Sequence, residues 1–377
     1  MTHQTSAVLL GLTFLSACSA IAAADELDAY VTTEMLSRKI PGAAIGVIDH
    51  DRVMKRMYGS ANLETAAPVR IDSVFEIASV TKPFTASAVM LLVQDGKIHL
   101  DDPIDTLIER APAAWKGITV RHLLSHTSGL RGGGWVECNG SPLLDISSGQ
   151  QFEDIVKSPL LFAPGEGATY SDPGYFLLGM IIERASGLLY RHFMQQRVFV
   201  PTGMTSTRIL DRREIVKGHV SCYTLRNGQV EHNRRVWQHE LPSYFGILTT
   251  VDDMIRWDTA LKKGRLLRPE TLSAMWTPTR LKNGEVALVD GQPYGLGWFV
   301  GAVNGHRIVG HPGFLGSVVF RFLDDGLTII VLTNLDVASG PHQVKLALGV
   351  ASRLRPEMAP ALAPYLEGAR TTTHRAR

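Results

Sequence analysis

Strand-like runs stand at both ends of this chain, and helix-like runs fill its middle. Near the start, Ala43–Ile48, a polar turn at His50–Arg52 and Val53–Tyr58 read as a β-hairpin. Beyond Pro293, "YGLGWFVG", "HRIVGHPG", "SVVFRFLDD" and "LTIIVLTNLD" are short β-branched and aromatic runs broken by Gly, Asn and Asp. That is the pattern of consecutive antiparallel strands with tight turns. Between them lie helical patterns: Pro83–Val93, "ITVRHLLSHTSGL" stopped by Gly129, "SDPGYFLLGMIIERASGL" closed near Gly187, and "TTVDDMIRWDTALKKG" with Thr250 as its cap. A further helix opens the mature chain at "LDAYVTTEMLSRK", and the last one spans His342–Leu354. Terminal strands of this kind join one sheet, where both can bury their faces. The expectation is an α+β chain: an antiparallel sheet flanked by helices, built from residues 25–75 and 245–365, with residues 76–244 as an inserted all-helical part.

The two ends carry their own signals. Ala7–Ala24, "AVLLGLTFLSACSAIAAA", holds no charge and ends in small residues, so residues 1–24 read as an export leader cut after Ala24. A competing reading uses "LSAC", which resembles the box before the lipidated cysteine of bacterial lipoproteins and makes Cys18 a lipid anchor. Both place the mature chain outside the cytoplasm, periplasmic or secreted, touching a membrane only through a lipid on Cys18. Residues 366–377 form a flexible basic tail. The two other cysteines, Cys138 and Cys222, are either a disulfide or two thiols.

Several function classes are disfavoured. Lysine and arginine total 38 against 36 acids, too even for a nucleic-acid footprint. No CxxC, G-x-S-x-G, Walker or dinucleotide glycine motif occurs. His122 and His126 are four apart on one helix face, but no glutamate stands between them and no third ligand is near. A capping or packing role for His126 fits better than zinc. No metal or cofactor is expected.

The stretch "EIASVTKPFTASAVMLL" sets Ser79 three residues before Lys82, with Pro83 behind. Proline is tolerated in a helix only in its first turn, because it lacks an N–H and clashes with the preceding turn. Pro83 therefore puts the helix start near Ser79, at the positive end, with Lys82 on the same face. Buried there, Lys82 has a lowered pKa and can serve as base to a serine hydroxyl. The competing reading is a serine N-cap beside an exposed lysine. Two further stretches stand out. In "PGEGATYSDPGYFLLG", Tyr170 precedes a helix that Ser171 or Asp172 can cap; Tyr170 itself also fits as a core residue. In "GHPGFLGSVVF", His311 sits among glycines that allow close backbone approach by a ligand, or merely a bulge.

Together, "FEIASVTKPFTASAVMLLVQDGKIHLDDPI", "ITVRHLLSHTSGL", "PGEGATYSDPGYFLLGMIIERASG" and "VGHPGFLGS", in this order, resemble the serine β-lactamase and penicillin-binding protein superfamily. The branch is that of class C β-lactamases, D,D-carboxypeptidases, D-aminopeptidases and β-lactamase-like esterases. The likeness runs from about Leu27 to Val350. It implies the β-lactamase/transpeptidase-like fold. It also implies Ser79 as nucleophile of an acyl-enzyme, Lys82 and Tyr170 sharing the proton work, and the backbone N–H groups of Ser79 and Phe314 as oxyanion hole. Asp172, His311 and Gly313 fall at substrate-binding positions. The substrate is a small molecule or short peptide carrying an ester or amide bond.

Two departures from the family pattern matter. Its second motif is most often Tyr-x-Asn, whereas here it is Tyr170-Ser171-Asp172. A carboxylate there favours a charged Lys82 and hence Tyr170 as main base, or a structural ion pair. Its third motif in true β-lactamases is usually Lys-Thr-Gly, whereas here it is His311-Pro312-Gly313. Histidine is mostly neutral above pH 7 and suits a substrate carboxylate less. The alternatives carried forward are a weak class C-like β-lactamase and a non-catalytic penicillin-binding-like sensor.

Overall fold

The computed structural model describes residues 26–132, 147–211, 213–233 and 242–367. The leader, Cys18, Cys138 with its pairing to Cys222, and the tail beyond Glu367 lie outside these residues.

Seven strands form the main sheet: β1 (Gly42–Asp49), β2 (Arg52–Asn62), β3 (Ala67–Pro68), β4 (Phe299–Val303), β5 (His306–Gly313), β6 (Ser317–Phe322) and β7 (Leu327–Thr333). Their spatial order is β4-β5-β6-β7-β1-β2-β3. Every neighbouring pair is antiparallel. The two ends of the chain meet at β1 and β7, in a register from Ala43 opposite Thr333 to Asp49 opposite Leu327. These central strands are also the most continuously apolar, "GAAIGVID" and "LTIIVLT", because both of their faces are covered. The strand expected at "YGLGWFVG" starts only at Phe299. Gly297 stops it with φ +86°, and a Cβ there would lie 2.4 Å from the Ala86 side chain.

The helices are α1 (26–38), α2 (Thr81–Gln94), α3 (Val120–Leu124), α4 (Ser148–Lys157), α5 (Asp172–Ser186), α6 (Val251–Lys262), α7 (Pro269–Met275), α8 (His342–Leu354) and α9 (Ala359–Glu367). One sheet face packs on α1, α8 and α9, through Val31, Leu346, Val350 and Leu362. The other packs on α6 and, beyond it, on the helical part. Helix α2 is buried from Thr81 through Leu92, so it runs through the core rather than along its edge. Phe84 of α2 stacks on Trp257 of α6 at 3.9 Å, and Trp257 on Trp298 at 5.7 Å. That stack joins the helical part to the sheet.

The caps behave as their chemistry requires. Thr250 accepts the Asp253 N–H at the start of α6, and Gly187 closes α5 with φ +72°. Helix α3 ends at Leu124, five residues before Gly129, because His126 turns to φ +61° and breaks the helix. Helices α4, α7, α9 and the helical stretch over residues 190–202 are additional to those expected, and the part expected to be all-helical also carries an antiparallel hairpin, Tyr223–Arg226 with Gln229–His232. Leu366 and Glu367, assigned to the flexible tail, close α9 instead.

Candidate active site

Ser79 stands in a 3-10 turn, Ala78–Val80, directly before α2. The turn and the helix both begin without a side-chain cap, so Ser79 is not the N-cap. Pro83 falls in the first turn of α2, as its missing N–H demands. Ala78 takes φ +45°, a left-handed conformation that costs a non-glycine residue about 1–3 kcal/mol. The surrounding contacts hold that turn. The Ile77 N–H donates to the Ile247 carbonyl at 3.1 Å, and the Ser317 hydroxyl of β6 donates to the Ile77 carbonyl at 2.6 Å.

Gly313, at the end of β5, belongs to the same contact. A Cβ on it would lie 2.3 Å from the Ile77 carbonyl oxygen and 2.2 Å from the Ser317 hydroxyl. The backbone that approaches Gly313 on this side is the chain's own. This approach sets the Gly313–Phe314 segment beside the turn that carries Ser79, and the Phe314 carbonyl is held by the Val337 N–H at 2.9 Å.

The Lys82 side chain is fully buried. Its ammonium has three N–H groups and three acceptors: the Ser79 hydroxyl at 3.2 Å, Asp172 Oδ1 at 2.6 Å and the Tyr244 carbonyl at 3.1 Å. It also sits 4.6 Å above the Tyr170 ring. Burial lowers the Lys82 pKa, and the Asp172 carboxylate opposes the change without cancelling it. Tyr170 shifts the other way. Burial first, then Asp172, raise its pKa well above 10, partly offset by a hydrogen bond with Ser79. Tyr170 is therefore a neutral phenol. Asp172 thus favours the charged form of Lys82, as expected, while desolvation works against it and is the larger influence.

Behind these four residues lies a layer of rings. His126 Nδ1 accepts the Ser171 N–H at 3.0 Å, which fixes the backbone between Tyr170 and Asp172. Its ring packs 4.5 Å from Tyr170 and 4.7 Å from Tyr294. Capping falls instead to His122, whose Nδ1 accepts the Thr119 N–H at 3.1 Å. His311 is only 1% exposed. Its Nδ1–H donates to the Pro312 carbonyl at 2.8 Å, so Nε2 is the acceptor and takes the Tyr294 hydroxyl at 3.2 Å. Burial pushes its pKa down to about 3, which keeps the ring neutral. At the position expected to face substrate, His311 has both nitrogens engaged and its ring is closed off from solvent. It buttresses Tyr294 and the end of β5.

The structure thus gathers Ser79, Lys82, Tyr170 and Asp172 around one hydroxyl, with Gly313 and Phe314 alongside. Tyr244, His126, Tyr175 and Tyr294 were not singled out as site residues. Tyr244 contributes a backbone carbonyl, which every residue owns and no pattern marks. Tyr175 and Tyr294 have the composition of ordinary core residues, and Tyr175 gives its hydroxyl to the Leu124 carbonyl at 2.9 Å.

Known proteins bear on this arrangement. The family model described as Beta-lactamase matches residues 27–351. Penicillin-binding protein 4* of Bacillus subtilis (strain 168) is 32% identical over 314 residues, covering 78% of this chain and 68% of that protein. Esterase EstB of Burkholderia gladioli is 29% identical over 384 residues, covering 88% of this chain and 95% of the esterase. The octameric penicillin-binding protein homologue from Pyrococcus abyssi superposes with a TM-score of 0.80 at 24% identity, covering 91% of this chain and 80% of its own, and it shows the fold. On the extent of the match and on the fold, the chain belongs to the beta-lactamase family, whose members are mostly serine hydrolases.

Proposed function

We propose that the protein hydrolyses an ester or amide bond through an acyl-enzyme on Ser79. The observation that carries this reading is the Lys82 amine 3.2 Å from the Ser79 hydroxyl, in a fully desolvated place. The lowered Lys82 pKa eases access to its neutral form. That amine takes the Ser79 proton as Oγ bonds to the substrate carbonyl carbon. The backbone N–H groups of Ser79 and Phe314 receive the carbonyl oxygen as it gains charge, a contribution of about 3–4 kcal/mol to the barrier in related chemistry. Tyr170, a neutral phenol bonded to Ser79, gives its proton to the leaving group and recovers one from the Lys82 ammonium. Water then attacks the acyl-enzyme, and the same groups return Ser79 to its starting state.

Two features support small esters and simple amides over penicillins and peptide carboxylates. Asp172 offers no N–H to a substrate carbonyl, unlike the asparagine most common in the family. His311, neutral and buried, offers no cation to a substrate carboxylate. The leader pattern supports export to the periplasm or beyond, with lipidation at Cys18 as the alternative to cleavage.

The test is labelling with a fluorophosphonate and turnover of p-nitrophenyl esters, with and without Ser79→Ala, followed by kcat/KM for a D-amino-acid amide, a D-Ala-D-Ala peptide and a cephalosporin. Ser79-dependent labelling with ester turnover is expected. Absence of both removes the enzyme reading in favour of a sensor, and a cephalosporin leading the panel favours a weak β-lactamase.

A further inference from the structure

Strand β6 carries one residue that its pattern does not explain. Ser317, Val319 and Arg321 share the face that looks toward α6, yet Arg321 is a cation where the strand is otherwise buried. It is 6% exposed. Its ring-stacked guanidinium lies 4.8 Å from the Trp276 ring, and its Nε is 3.3 Å from Asp258 Oδ1. Neither Nε nor Nη1 is aligned with any hydrogen-bond acceptor among the described residues. A buried guanidinium left this short of acceptors is costly unless something completes it.

Arg321 lines a cavity of about 690 Å³ between α6, α7 and the ends of β4–β7, a size usual for small-ligand sites. The walls are largely apolar, with Leu261, Leu272, Trp276, Val300 and Leu323. Three lining residues are cationic, Lys262, Arg307 and Arg321, against a single acid, Asp258. Lys262 and Arg307 have partners of their own: the His50 carbonyl at 2.6 Å and Asp324 at 2.6 Å. Asp258 accepts the Thr328 hydroxyl at 3.2 Å through the same Oδ1 that faces Arg321, and its Oδ2 has no hydrogen-bond partner among the described residues, so the pair is incompletely satisfied on both sides. Arg321 is four residues along β6 from Ser317, which holds the turn of Ser79. At the rise of a strand that is roughly 13 Å away, so the cavity is a separate place.

We infer that this cavity is a second ligand site, which takes a monocarboxylate with an apolar body: the carboxylate on the Arg321 guanidinium, the hydrocarbon along the α6–α7 wall. A planar guanidinium pairs well with a carboxylate, and the apolar wall removes the remainder of such a molecule from water. The site is independent of the reaction assigned to Ser79.

Titration calorimetry of the full chain with hexanoate, and with hexanamide as the neutral isostere, tests it. One saturable hexanoate site is expected, with hexanamide weaker by about tenfold or more, the usual worth of a hydrogen bond to a charged group. Arg321→Met removes the charge. Ser273→Phe, an exposed α7 residue on the rim, obstructs the cavity without disturbing the core. Each is expected to weaken hexanoate by about tenfold or more, with melting curves reporting whether Arg321→Met folds. Equal binding of acid and amide, no saturable binding, or hexanoate binding that survives Ser273→Phe overturns the inference.

Discussion

At Lys82, burial and a carboxylate pull one amine in opposite directions. Burial lowers its pKa and Asp172 raises it, with burial the larger. Asp172 also raises the Tyr170 pKa, so a single carboxylate disfavours the phenolate while it retains the ammonium. Asp172→Asn removes both influences. The acid limb of the kcat/KM profile, which follows loss of a proton from Lys82, is expected to move to lower pH. A pH–rate series with an activated ester reads this directly, and an unmoved limb counts against Lys82 as the base. Residue chemistry of this kind was half legible in the sequence. Ser79, Lys82 and Tyr170 carry spacing and context that mark them, whereas the place of His311 depends on burial and on Tyr294, which no local pattern encodes.

Among the elements, β5 and the turn before α2 behave as one part. Gly313, Ile77 and Ser317 meet through two backbone segments and a hydroxyl with no room for a methyl group. Gly313→Ala must push the Ser79 turn or break the Ser317 bond, since overpacking of this kind costs about 1–3 kcal/mol. The expected result is a lower melting temperature together with slower fluorophosphonate labelling, read against Ser317→Ala, which loses the bond but keeps the space. A Gly313→Ala enzyme that labels at the normal rate would show that the contact does not position Ser79. The main strands and α2, α5, α6 and α8 were readable because their apolar runs are long. Helices α4 and α7 were not: "SGQQFEDIVK" and "PETLSAM" bury only three residues each, too few to show a period.

Across the whole molecule, several histidines are buried as neutral rings. Burial holds His311 at about 3 and His342 at about 4, with His126 also well below 6.5. An unfolded histidine takes up a proton as the pH falls through about 6.5, and these folded ones do not. Their contribution to stability is thus complete above about pH 6.5 and is lost as the pH falls toward their folded values. The slope is about 1.4 kcal/mol per pH unit for each such ring. Urea midpoints measured from pH 7.5 downward are expected to fall steadily below about pH 6.5, and a His342→Gln chain is expected to fall less steeply. A flat series would mean that these rings are protonated in the fold.

Apolar periodicity and the place of Pro83 by themselves determined that strands stand at both ends of the chain and that a helix starts beside Ser79, since period and proline position are local properties of the chain. Only the tertiary structure decided the state of the groups there. Lys82 meets a carboxylate 90 residues away and a carbonyl 162 residues away, and desolvation by the whole fold outweighs the carboxylate. Charge balance and burial are sums over neighbours in space, and the order of residues along the chain does not list those neighbours.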